Sequence, residues 1–394
     1  MRISVLSDLH CHANRTDGNN SSLLVEGFRV PTNGHPAEAL LDLIRKEKLD
    51  SDIIVLPGDF TDQADLPGYV VGVHTAREIA ASLGAKSVFA TLGNHDVDSR
   101  AKHGKDPFSL ATKLFSDFPI FDPAQRAQFF SKDSGFVACD HGNTRILIIN
   151  SVVSHVDVEQ SERGCFTEVQ LENLEKFLTG KAPSEIQIAL SHHHPIPHEE
   201  MELGDHDLML GGQELLALLE KHRYHLAIHG HKHHPRFRYN TSESSNGIPV
   251  FSAGSFSAVI GGKLVRSLRN TFHIIDLWPA DTEFNYLRGI VRSWELSTNS
   301  GWVKTSPIGS GISHSIGFGC RKPVTEFAAQ VVDLILKHAP SYCLSWDIVV
   351  KNIPEIRFLA PGDRRTLVDE LSKRNVISNS RDDPMYFSLT QTKI

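Results

Sequence analysis

A membrane-spanning helix needs about 18 consecutive apolar residues, and no such run occurs anywhere in these 394 residues. No membrane partner is therefore expected. Cysteine is scarce. The five present, Cys11, Cys139, Cys165, Cys320 and Cys343, are odd in number, widely scattered and without a C-x-x-C pair. That excludes a disulfide framework and a zinc ribbon and leaves reduced thiols. A secretory leader is not legible either: Met1-Arg2-Ile3-Ser4-Val5-Leu6-Ser7-Asp8 turns acidic after too few apolar residues, and a cytoplasmic protein is expected. The sequons at Asn14, Asn20 and Asn240 then have no role. Charge of one sign is not in large excess: 40 Lys and Arg against 47 Asp and Glu give a net −7, the wrong sign for coating nucleic acid by bulk charge. Internal repeats and low-complexity runs are missing too.

What is there suffices for a large core, with 40% apolar and 22% charged residues. The length fits two or three domains of about 100–200 residues each. Up to about residue 280, short β-branched runs alternate with amphipathic stretches. The runs are Ile3–Ser7, Ile53–Leu56, Val88–Leu92, Ile146–Asn150, Ile186–Ser191, Leu226–His229 and Val250–Ala253, and helices are predicted over Ala37–Lys48, Ala76–Leu83, Val169–Leu178 and Gln213–His222. This alternation reads as α/β. Residues 11–36, rich in Asn, Gly and Ser, form a loop long enough to belong to a substrate rim. Phe272–Trp278, Phe284–Trp294 and Gly301–Thr305 read as further strands, giving a first domain over 1–305, a linker over 306–320 and a tail over 321–394. The tail carries helical patterns at Val324–His338, Asp347–Asn352 and Gly362–Arg374, then Val376–Ser378 and Met385–Leu389 as a hairpin. It is expected to be a small α+β, winged-helix-like domain, a shape that contacts either nucleic acid or a protein partner.

The abundant residue is histidine, 22 in all, and its positions matter most. Strand ends are followed by Asp8-Leu9-His10, Gly58-Asp59-Phe60-Thr61-Asp62, Gly93-Asn94-His95-Asp96, His192-His193-His194-Pro195 and Gly230-His231-Lys232-His233. In an open α/β sheet ligands bind outside the carboxyl ends of the strands, so these clusters converge on one place. Alone, each is ordinary, since a Gly-Asp pair is a common turn. Yet a specified string such as Gly-Asn-His-Asp arises by chance in a chain this long at a frequency of about one in several hundred. Carboxylate, imidazole and amide oxygen without thiolate suit Mn, Fe, Zn, Co or Ni. A carboxylate reaching two ions holds them about 3.5–4 Å apart, the spacing of hydrolytic two-metal sites. Asp59, on a glycine turn, is the natural bridge.

In type and order the set resembles the calcineurin-like metallophosphoesterase superfamily, whose pattern is D-x-H, G-D-x-x-D/N, G-N-H-D/E, a later strand-end His and G-H-x-H. The resemblance covers about residues 1–260. It implies a four-layer α/β/β/α double β-sheet sandwich with two divalent ions, Mn, Fe or Zn, at one sheet edge. By position, Asp8, His10, Asp59 and His233 would hold one ion, and Asp59, Asn94, His193 and His231 the other. Among the three consecutive histidines, the family's ligand has proline two positions on. Pro195 therefore selects His193, with His192 as the alternative. His95 would not bind metal but would stabilise or protonate the leaving oxygen, with Asp96 orienting its ring. Two divalent ions against two carboxylates and one hydroxide leave a surplus of about +1, attractive to a phosphate ester. Asp96 and the His-His-Pro element lie closer to the cyclic-nucleotide-type phosphodiesterases than to the serine/threonine protein phosphatases. The activity so implied is hydrolysis of a phosphodiester, or a monoester, by a metal-bridging hydroxide. A nuclease of the same superfamily and a scaffold without catalysis are the alternatives.

Overall fold

The computed structural model describes residues 1–13, 21–30, 32–99, 106–114, 122–155, 163–197, 207–240, 247–259, 268–338 and 343–389. The sequons at Asn14 and Asn20, and with them residues 14–20 and 31 of the 11–36 loop, lie outside them. The chain opens with β1 (Arg2–Val5), α1 (Pro36–Glu47), β2 (Ile53–Leu56), α2 (Leu66–Ser82) and β3 (Ser87–Ala90). The three strands pair in parallel, Ile3 beside Ile53 and Ile53 beside Ser87. β2 is buried along its whole length, as a parallel strand covered on both faces must be.

Capping residues set the helix boundaries. His35 caps α1 by accepting from Glu38 N–H, and Pro36 opens its first turn. Asp65 caps α2 through Gly68 N–H. The periodicity predicts a helix only from Ala76, yet α2 begins ten residues earlier. Gly68 and Gly72 weaken the helical pattern, but a Cβ at Gly68 would lie 1.9 Å from the Cys11 carbonyl oxygen, so close packing on the loop after β1 demands glycine there.

Next come α3 (Ser109–Leu114), α4 (Pro123–Phe129), β4 (Phe136–His141), β5 (Thr144–Ile149), α5 (Glu168–Thr179), β6 (Ile186–Leu190), α6 (Gly212–Lys221), β7 (Leu226–His229), β8 (Pro235–Tyr239) and β9 (Pro249–Ala253). Strands β4 to β9 make a six-stranded sheet in the order β4-β5-β6-β7-β9-β8. Leu174 and Leu178 of α5 and Leu215, Leu216 and Leu219 of α6 share one buried apolar cluster with Leu147, Ile149, Ala189 and Ala227 of this sheet. The chain continues through β10 (Thr271–Trp278), β11 (Arg288–Ser297), β12 (Gly301–Lys304), α7 (Pro307–Ser310) and β13 (Ser315–Phe318). A second sheet runs β12-β11-β10-β1-β2-β3, with β13 on β11. The fold is thus mixed α/β, two large sheets sandwiched by helices.

Two expectations are corrected here. The strand predicted from Phe284 begins only at Arg288. Asp281 accepts from the N–H groups of Glu283 and Phe284 and closes a turn there, and the Arg288 guanidinium sits 4.1 Å from the Phe284 ring centre. The segment read as a linker over 306–320 is not one, because it holds α7 and β13, and β13 pairs with β11 from Gly289 to Arg292. Correspondingly, the chain divides into two compact units that are not sequential: Met1–Ile275 with Ser293–Ile312, and Asp276–Arg292 with Ser313–Ile394.

The second unit contains α8 (Val324–His338), β14 (Leu344–Ser345), α9 (Trp346–Asn352), a 3₁₀ turn (Pro354–Phe358), α10 (Pro361–Ser372), β15 (Val376–Ser378) and β16 (Tyr386–Leu389). Its three strands form an antiparallel sheet in the order β14-β16-β15. Phe327, Val331, Ile335, Val349, Leu367, Leu371 and Phe387 are buried together as its core. The predicted helices and hairpin of the tail all form, with β14 as an added strand.

Candidate metal centre

The five polar clusters leave the carboxyl ends of β1, β2, β3, β6 and β7. Beyond the strands the first two loops stay stitched together, Asp8 N–H to the Gly58 carbonyl at 3.1 Å and His10 N–H to the Asp59 carbonyl at 3.0 Å. Five residues here have left-handed backbone: Asp8 (φ 52°), His10 (φ 50°), Asp59 (φ 56°), His231 (φ 73°) and His233 (φ 53°). Such conformations cost about 1–3 kcal/mol each and persist only where the surroundings impose them. Gly230 lets two of these loops meet, since a Cβ there would lie 2.5 Å from Asp8 Oδ2.

Hydrogen bonding on the far side of each ring decides what faces inward. His192 Nδ1 is 2.8 Å from the Pro57 carbonyl oxygen, which can only accept, so that nitrogen carries the proton and Nε2 keeps its lone pair. His231 Nε2 is 2.8 Å from Asp207 Oδ2, which likewise leaves Nδ1 as the lone pair. His192 Nε2 and His231 Nδ1 then stand 3.2 Å apart, at 3.0 and 3.2 Å from Asn94 Oδ1, and Asp59 Oδ2 lies 3.4 Å from His192 Nε2. Four acceptors converge there. Alongside, His10 Nε2 is 3.0 Å from His233 Nε2 and 3.3 Å from Asp59 Oδ2, and His233 Nε2 is 3.4 Å from Asp8 Oδ1. Asp59 Oδ2 stands at the join of the two sets.

Acceptors crowded in this way repel one another unless a cation lies between them, and the residues present fit two divalent ions. Titration behaviour agrees. Burial, and then His95 beside it, pushes His10 down to about 3, and burial holds His192 well below the usual imidazole range. Both rings are neutral, the form that binds metal. Burial first, and then Asp8 and Asp96, push the Asp59 carboxyl well above its usual range, a bias that adjacent cations would reverse. Asp8 and His192 are fully buried, whereas the His233 and His95 side chains are 28% and 23% exposed. These two rings are the solvent-reached part of the cluster.

Of the residues expected in the site, Asp8, His10, Asp59, Asn94, His231 and His233 come together. His193 stands beside them, one of its ring nitrogens within 4.8 Å of the ligand atoms of His192 and His231. Its Nδ1 lies 2.9 Å from Ser151 Oγ, while it is His192 that meets Asn94 and Asp59. Successive side chains past the end of a strand diverge, and of the two alternatives it is His192 that reaches the Asn94 and Asp59 oxygens.

Asp96 is the second correction. It does not orient His95; its carboxylate accepts four backbone N–H groups, those of Asp59, Phe60, Thr61 and Gly93, at 2.8–3.1 Å. Burial pushes this carboxyl up to about 7 while the four donors pull the other way. Asp96 therefore shapes the loop that presents Asp59. The His95 ring is held by Asp62, whose Oδ1 is 2.8 Å from Nδ1, and Ser21 Oγ bonds the other oxygen at 2.8 Å. One His95 ring nitrogen lies within 4.8 Å of the His10 and Asp59 ligand atoms. The strand-end clusters include Asp62 without giving it a task, and Asp207 lies outside them. The signal available for Asp62 was its place in the Gly-Asp-x-x-Asp string.

The family model for calcineurin-like phosphoesterase matches residues 1–235. Among solved structures, a dimetal phosphatase from Danio rerio is 15% identical with a TM-score of 0.48, over 78% of this chain and 98% of its own. A purple acid phosphatase from yellow lupin, Lupinus luteus, is 17% identical with a TM-score of 0.48, over 77% of this chain and 52% of its own. Vps29 of Entamoeba histolytica, complexed with zinc, is 13% identical with a TM-score of 0.34, over 77% of this chain and 99% of its own. No curated protein matches the chain significantly.

Proposed function

Because this chain belongs to the calcineurin-like phosphoesterases, hydrolases that act on phosphoester bonds with the help of metal ions, we propose that it cleaves a phosphodiester beside the part-exposed rings of His95 and His233. The observation that carries the reading is the convergence of His192 Nε2, His231 Nδ1, Asn94 Oδ1 and Asp59 Oδ2 with no donor among them. Asp59 would bridge two ions, with Asp8, His10 and His233 completing one site and Asn94, His192 and His231 the other. Bound there, two divalent cations (Mn, Fe or Zn) would neutralise charge on the phosphoryl oxygens and make hydroxide available near neutral pH.

The chain's own residues supply the rest. His95, with one ring nitrogen committed to Asp62, has the other free to protonate the departing oxygen. A diester is favoured over a monoester by charge: Asp62 adds a negative group beside His95, and the ammonium of Lys232 is taken by Asp207. Neither group therefore adds a cation to match the second charge of a monoester dianion. A small diester is favoured over nucleic acid, because three basic side chains of the tail are already paired with acids, Arg381 with Asp369, Lys373 with Glu370 and Arg365 with Asp382.

The test is a rate comparison between bis-p-nitrophenyl phosphate and p-nitrophenyl phosphate, each with Mn, Zn and Mg. Faster turnover of the diester is expected. A monoester rate tenfold higher with every metal would reject the diester assignment, and steeply salt-dependent binding of single-stranded DNA would favour the nuclease instead.

A further inference from the structure

Asp207 belongs to none of the five strand-end clusters. It lies before α6, in a stretch tied down by backbone bonds from Met209 N–H to the His194 carbonyl at 3.1 Å and from Leu210 N–H to the Gly164 carbonyl at 2.9 Å. From there its carboxylate serves two partners at once. Oδ2 is 2.8 Å from His231 Nε2, and Oδ1 takes the Nζ of Lys232. Lys232 sits between two of the proposed ligands, His231 and His233, and is only 6% exposed. A buried ammonium at that position would repel any cation bound by its neighbours.

We infer that Asp207 is a positioning residue of the metal centre: it fixes His231 in the tautomer that turns the Nδ1 lone pair inward, and it neutralises the ammonium of Lys232. The inference rests on the metal-dependent reading above. A carboxylate on the outer nitrogen of a ligating imidazole also raises its basicity, and losing such a partner usually weakens metal binding about 10–100-fold. Here the acid has a second task. Without it the Lys232 ammonium, next in the chain to two ligands, would lose this carboxylate.

The experiment titrates Mn²⁺ into the full-length protein, read by calorimetry and by analysis of bound metal, with circular dichroism to check folding. Two Mn²⁺ per chain are expected for the wild type. Asp207→Asn should weaken one of the two sites about 10–100-fold, and Asp207→Glu should recover part of the loss. Lys232→Met leaves Asp207 to His231 alone and should bind Mn²⁺ as tightly as the wild type or more so. Were the Asp207–Lys232 pair only packing, Lys232→Met would weaken Mn²⁺ binding as Asp207→Asn does, and that result overturns the inference even if Asp207→Asn fails to fold. Unchanged affinity in a folded Asp207→Asn also overturns it, and leaves the metal reading standing. A wild type that takes up no Mn²⁺ removes the metal reading and this inference together.

Discussion

With Asp62 at Nδ1, the His95 ring cannot turn without breaking a 2.8 Å bond to a carboxylate that is itself tied to Ser21. Its task is therefore separable from metal binding. His95→Ala is expected to keep both ions and to lower kcat by about 10²–10⁴, most for diesters with poor leaving groups, as a series of aryl phosphodiesters would show. Equal loss across the series would remove His95 from the leaving-group side. At this scale the sequence was legible in residue type more than in role. Asp96 is next to His95 in the chain, but its oxygens point at four backbone amides. Asp62, 33 positions away, is the one that reaches the ring. His192 and His193 are chemically identical, so only the direction of each side chain could separate them.

Among the elements, the loops that follow β1, β2 and β7 carry the strain, and α2 packs against the first two of them through Gly68 and Gly72. Gly68, in the first turn of α2, touches the loop that continues from His10. Gly68→Ala is expected to destabilise the fold by about 1–3 kcal/mol and to weaken metal binding with it, measured by chemical denaturation and Mn²⁺ titration. Wild-type stability in this variant would mean that the loop yields to the added methyl at little cost.

β10 offers a pH prediction. Burial pushes His273 down to about 4 from 6.5, and its Nδ1 is 2.7 Å from Ser293 Oγ. The native ring is neutral where the unfolded ring is already protonated, so this contribution is complete above pH 6.5 and is lost as the pH falls towards 4. His273→Gln should flatten the fall in stability over that window by up to about 1.4 kcal/mol per pH unit, as urea melts at stepped pH would reveal. An unaltered slope would show that the ring is not held neutral.

For the molecule as a whole, metal should act as a stabilising ligand. Chelation is expected to lower the melting temperature, and Mn²⁺ at about 100 times its dissociation constant should restore about 2.7 kcal/mol. Asp59→Asn should abolish that rise, which differential scanning calorimetry measures directly. A melting temperature indifferent to both chelator and Mn²⁺ would contradict a dinuclear centre.

What the sequence by itself determined is the α/β alternation and a chemical inventory: carboxylate, imidazole and amide, placed just after strands, with no thiolate among them. Those facts follow from local periodicity and residue type. Tertiary structure alone decided that His192 faces Asn94, that Asp62 rather than Asp96 holds His95, that Asp207 reaches His231, and that Asp276–Arg292 and β13 group with the tail. The physical reason is common to all four. Each depends on a direction or a pairing between residues far apart in the chain, set by left-handed turns, backbone amides and strand register that no single stretch of sequence encodes.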